Sequence, residues 1–196
     1  MFPRSRIVLV LALGAALIAL AGCGSTARLV SFDPSSPCTT DGRQPGAYPD
    51  LEAQLPTSFE GKPPATVDSG RNCTADALGS LKTEGVDGVR FAGATWPLGS
   101  SQALTLAIFE GAGLTPKAMI DFYEQSASIN SKTDQLHSSD ITAAGKAGRR
   151  LDVLQSDGTA QSIVAWPGAK DGQVVVLLAA DLGDTRVAEA VDAFAK

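Results

Sequence analysis

Histidine is almost missing from this sequence: His137 is the only one in 196 residues, and cysteine occurs three times, at Cys23, Cys38 and Cys73. So few soft or imidazole ligands exclude most multi-ligand zinc sites and haem arrays, so no metal and no cofactor is expected. Aromatic residues make up only 6%. Basic residues are also short: 16 Lys and Arg stand against 21 Asp and Glu, a formal charge of −5. A nucleic-acid partner is thereby excluded, because such binding depends on Lys and Arg neutralising phosphates. No stretch has the length of a bilayer span. The apolar run from Ile7 to Ala21 is fifteen residues, where a spanning helix needs about 20.

What the chain does have begins at its start. Met-Phe-Pro-Arg-Ser-Arg is a short basic region, the apolar run follows, and Leu20-Ala21-Gly22-Cys23 closes it. Basic region, short apolar core and small residues at a cleavage point define an export signal. The last four residues resemble the lipobox of bacterial lipoproteins. That resemblance implies cleavage before Cys23 and a lipid carrying palmitate-type chains on its thiol. More than one acyl chain gives stable anchoring, so it places the chain on the extracytoplasmic side of a cell membrane or cell envelope. Loss of residues 1–22 removes Arg4 and Arg6 and no acid, taking the charge from −5 to −7. The remainder is the size of one domain.

Residues 23–48 hold Gly24, Pro34, Pro37, Pro45 and many Ser and Thr without apolar periodicity. They read as a flexible tether, and residues 49–196 as a single domain. With Cys23 lipidated, Cys38 and Cys73 are the remaining pair in an oxidising compartment, so they are expected to form a disulfide.

Within the domain, Asp50 can cap a short helix through Leu51 and Leu55, residues 56–72 read as loop, and Thr74 can cap a helix containing Leu78 and Leu81. Val89–Trp96 and Ala103–Phe109 alternate as strands around a Pro/Gly loop. Thr115-Pro116 opens a helix with Met119, Phe122 and Tyr123 on one stripe. Residues 130–139 are polar and read as loop. Strands are expected over 141–144, 149–155, 161–166 and 173–180, then a helix from Asp184 with Val187, Val191 and Phe194 on one side. From about residue 88 the order is β-β-α-β-β-β-β-α. The fold class is α+β: an antiparallel sheet with helices on one face, a two-layer sandwich, preceded by a short helical and loop segment.

Four features carry a family likeness: the Leu114-Thr-Pro helix start, Ala144-Gly-Lys-Ala-Gly-Arg-Arg-Leu, Val164-Ala-Trp-Pro-Gly followed by Asp171-Gly-Gln-Val-Val-Val, and the closing helix. By these, residues 88–196 resemble the PsbP-like fold and the LpqN-type lipoproteins of actinobacteria. The resemblance implies an extracytoplasmic adaptor or binding domain without a shared catalytic set, and it transfers no functional residue.

A search for catalysis gives little. There is no Gly-x-Ser-x-Gly and no Ser-x-x-Lys. His137 has Asp134 and Asp140 nearby but sits in a polar stretch. Gly111-x-Gly113 lacks the rest of a dinucleotide fingerprint, since Pro116 stands at the third glycine. The acids Glu110, Asp121 and Asp152 have no setting that marks a glycosidase pair, and no calcium loop is present. Two clusters are candidate binding residues. Arg71 and Asn72, beside the cysteine bridge, can present a fork and an amide to an anion or sugar. Trp96 and Trp166 each end a strand before a proline and can frame an apolar or stacking site if they share a rim. The chain is therefore expected to be a non-enzymatic, lipid-anchored domain binding an envelope protein or small-molecule ligand. The alternatives are a lipid or small-molecule carrier and an unrecognised hydrolase pairing His137 with Asp68 or Asp140.

Overall fold

A computed structural model describes residues 32–99, 101–143 and 145–195. Cys23, the signal segment and the first part of the expected tether lie outside the described residues. The strands are β1 (Gly42–Gln44), β2 (Thr66–Asn72), β3 (Val89–Pro97), β4 (Ala103–Glu110), β5 (Thr133–Ala143), β6 (Lys146–Gln155), β7 (Ala160–Pro167) and β8 (Gln173–Ala180). They form one eight-stranded sheet in the order β1-β2-β3-β4-β8-β7-β6-β5. Every neighbouring pair is antiparallel. The path is two meanders. β1 to β4 step inward from one edge, α4 (Pro116–Ser128) carries the chain to the far edge, and β5 to β8 step back until β8 closes against β4.

Local chemistry sets the helices. The Thr115 hydroxyl accepts from the Ala118 N–H at 3.1 Å and Pro116 occupies the first turn of α4. These satisfy free N–H groups and pre-set φ. Thr74 does the same for α2 (Ala75–Leu78), accepting from Ala77 N–H. α1 (Pro49–Glu52) and α3 (Ser80–Thr83) are single turns. α5 (Asp184–Phe194) starts after Gly183, with Asp184 in the first turn, where a carboxylate suits the helix dipole.

The sheet is covered on both sides, which corrects the two-layer expectation. In β8, Val174 and Val176 point to one face, while Leu177 and Ala179 point to the other. β7 divides in the same way, Ile163 and Ala165 against Val164 and Trp166. Met119 and Ile120 of α4, with Leu78 and Leu81, pack on the first face; Val187, Ala190 and Val191 of α5 pack on the second. A strand whose two faces are both apolar requires cover on both, and two helices on one side would leave half of these residues in water. Burial of each such side chain stabilises by roughly 1.5–3 kcal/mol.

Three further expectations change. Residues 66–72 form β2, and the polar run 133–139 belongs to β5, the outer edge strand. Residues 32–48, expected as part of the tether, belong to the fold. Phe32 and Tyr48 are buried, and β1 pairs with β2 through Gly42↔Arg71 to Gln44↔Ser69. The Cys38–Cys73 disulfide is formed, with Cα atoms 5.3 Å apart.

Candidate functional site

The sheet register assembles a polar groove that no single segment announces. His137 faces Asp152 and Ser139 faces Arg150 across β5 and β6. Asp152 in turn faces Ser162 across β6 and β7. Directly opposed residues share a face, so these side chains lie together on the α5 side of the sheet. Cover by α5 comes there from its N-terminal end, where Gly183, just before the helix, and Asp184 line the groove. The result is an open groove of about 400 Å³, floored in part by Leu154 and Leu182.

Arg150 is the hub. Its Nε and Nη2 donate to Asp152 Oδ1 at 3.0 and 2.8 Å, and Nη2 also reaches Ser162 Oγ at 3.1 Å and Asp184 Oδ1 at 2.5 Å. The Ser162 hydroxyl donates to Asp152 Oδ1 at 2.6 Å. Burial by itself lowers the Arg150 pKa, but the hydrogen bonds and charges of Asp152 and Asp184 outweigh it and raise the pKa above its ordinary value. Among the described residues, Arg150 Nη1, Asp152 Oδ2 and the His137 ring have no protein hydrogen-bond partner. A donor face and an acceptor face thus stand side by side in the groove, fixed by a satisfied network behind them.

The residues singled out in the sequence fare differently. Arg71 is 2% exposed. Its guanidinium donates to Ser36 O at 2.7 Å, to Ser36 Oγ and Thr40 O at 3.0 Å, and lies 5.2 Å from the Phe32 ring centroid. The fork is spent on the protein's own N-terminal segment, so it is not offered to a ligand. Asn72 is half-buried in β2, opposite Val89.

Trp96 and Trp166 do share a face but not a rim. The register runs Trp96–Leu104–Ala179–Ser162, whereas Trp166 runs to Val175, Ile108 and Ala92. β3 and β7 are antiparallel to one another, so ends that look alike in sequence lie at opposite ends of the sheet. Both indoles are core: Trp96 stacks on Phe194 at 5.5 Å and donates Nε1–H to Lys62 O at 3.1 Å.

His137 is likewise separated from the acids first considered. Asp140 is an odd number of residues away on the same strand and so on the opposite face, paired with Arg149 at 2.9 Å. Asp68 is on β2, six strands distant in the sheet order. Ser162 is held by Asp152 and Arg150 with no imidazole bonded to it among the described residues. Glu110 is tied elsewhere. Burial works to raise its pKa, but hydrogen bonds and charge from Lys170 and Arg90 hold it below the carboxylate range. Asp121 pairs with Lys117.

Among the described residues no group of three or more His, Cys, Asp or Glu is placed to hold a metal ion, and no helix is long and apolar enough to cross a membrane. No protein-family model and no curated protein matches the chain. The groove was missed in the sequence because its parts are spread over three strands and a helix start. The signal that existed was polar alternation, Gln135-x-His137-x-Ser139 and Arg150-x-Asp152, on strands otherwise apolar or unassigned.

Proposed function

We propose that the protein is an extracytoplasmic lipoprotein, anchored through Cys23, whose α+β domain recognises a partner through the Arg150–Asp152–Asp184 groove. The observation that carries this reading is the groove itself: an open, preformed cluster of unspent donors and acceptors beside the packed core under α5. The disulfide fits an exported chain, and the likeness of residues 88–196 to PsbP-like and LpqN-type domains fits an adaptor.

A small-molecule ligand is the second reading, favoured by the groove volume of about 400 Å³, which falls in the range of ligand pockets. The polar, open lining favours recognition over storage of an apolar cargo, for which an enclosed apolar cavity is needed.

The test is a photo-reactive residue placed at Gln135, on the groove face of β5, and at Glu189, exposed on α5. Both proteins are produced in cells, and the groove probe is repeated with Asp152→Asn and Asp184→Asn. The proposal expects discrete adducts from Gln135 alone, lost in the double variant. Equal labelling from both sites, or none from Gln135 together with no retained small molecule in the native mass spectrum, contradicts it.

A further inference from the structure

The described part of the N-terminal segment is bound along one edge of the sheet. Residues 32–48 are held to the sheet by several independent contacts. The Phe32 ring lies against Gly42 of β1 so closely that a Cβ there would sit 2.2 Å from it. Arg71 binds Ser36 and Thr40 from beneath. The Asp41 carboxylate accepts from Cys73 N–H at 2.6 Å, Thr74 N–H at 2.9 Å and the Thr74 hydroxyl at 2.5 Å. The disulfide locks Cys38 to the end of β2.

We infer that this latch makes the β1 edge of the sheet the membrane-proximal side, and the β5 edge with its groove the side held away from the bilayer. The inference rests on lipidation at Cys23. Nine residue steps separate Cys23 from Phe32, and at about 3.3–3.6 Å each they span at most about 30 Å. Without the latch the free chain would run to Tyr48, and the same arithmetic would give a reach of about 85 Å. Phe32 sits at the β1 edge, and β5 is the eighth strand of the sheet. At about 4.8 Å per strand that puts β5 roughly 34 Å farther on. The groove therefore works no more than about 65 Å above its own membrane. That fits a partner standing in the same membrane and not one across the envelope.

The test uses the full-length lipidated chain in phosphatidylcholine/phosphatidylglycerol vesicles with an energy acceptor on the headgroups. A donor is attached at Gln44→Cys on β1 or at Asp134→Cys on β5. Label heights differing by about 30 Å, with the stronger transfer from position 44, are the expected result. Equal transfer, or stronger transfer from position 134, overturns the inference. The mass of the Cys23 peptide is measured on the same samples. An acylated peptide with equal transfer defeats the orientation alone, whereas a peptide without acyl chains defeats the anchoring on which it stands.

Discussion

At the scale of single residues, Arg71 is the most consequential side chain outside the groove. Arginine is seldom fully buried, and nothing in Ser69-Gly70-Arg71-Asn72 distinguishes it from a surface arginine, so its burial was not legible in the sequence. It is explained only by the carbonyls of Ser36 and Thr40 arriving from thirty-odd residues earlier. Arg71→Met keeps much of the apolar stem but strands those acceptors. It should lower unfolding free energy by about 2–3 kcal/mol, read from urea denaturation; a change within about 0.5 kcal/mol, the size of an ordinary surface substitution, would contradict the buried role. Gly70→Ala is a second residue-scale case. An added Cβ would lie 2.4 Å from Gly42 O and 2.6 Å from the Phe91 ring. Backbone cannot move aside cheaply, so a loss of about 1–3 kcal/mol is expected by the same measurement. The cysteine pairing, by contrast, was legible, because only two cysteines remained once Cys23 was assigned.

At the scale of elements, the helices were legible where a cap and a stripe coincide, as at Thr115-Pro116 and Thr74. β3, β4, β7 and β8 were legible from apolar runs. β2 and β5 were not: β2 buries Ser69 and Arg71, and β5 turns an exposed His137 and a half-buried Ser139 to the groove, so no hydrophobic alternation marks them, and pairing with β1, β3 and β6 decides their conformation. The latch is expected to respond to pH through Asp41. Burial works to raise the Asp41 pKa, but hydrogen bonds from Cys73 and Thr74, with the Arg71 charge, outweigh it and hold the folded value below the ordinary one. A depressed carboxylate contributes stability above its unfolded pKa, and that stability is lost as pH falls through the folded value. The melting temperature should therefore decline as pH drops below about 4. In Asp41→Asn the decline should be shallower and the neutral-pH value lower, which calorimetry across pH 2–7 resolves. Replacing both Cys38 and Cys73 by Ser should cost roughly 3–4 kcal/mol, from the loop entropy of a 35-residue separation.

At the scale of the whole molecule, the sheet separates two cores, and this is the feature that sequence periodicity could not assign. Apolar residues on both sides of β7 and β8 were visible, but which helix covers which side depends on where α4 crosses over. Ile120 and Val187 belong to different cores, so Ile120→Val, costing about 1 kcal/mol, and Val187→Ala, costing roughly 1.5–2.5 kcal/mol, should add to within about 0.5 kcal/mol in the double variant. A larger coupling would mean that the two layers are not independent. The same partition gives the molecule its polarity. One sheet edge is bound up by the latch and disulfide, and the other ends in a long strand beside an unspent polar groove.

The proposed function rests on the proposed anchor at Cys23, and the most direct measurement is the intact mass of the protein extracted from the membranes of the cells that make it. The account predicts a chain beginning at Cys23, carrying the added mass of a diacylglyceryl group, and two hydrogens lighter for the Cys38–Cys73 bond. A chain that still begins at Met1, or one cleaved elsewhere and without acyl mass, would contradict it.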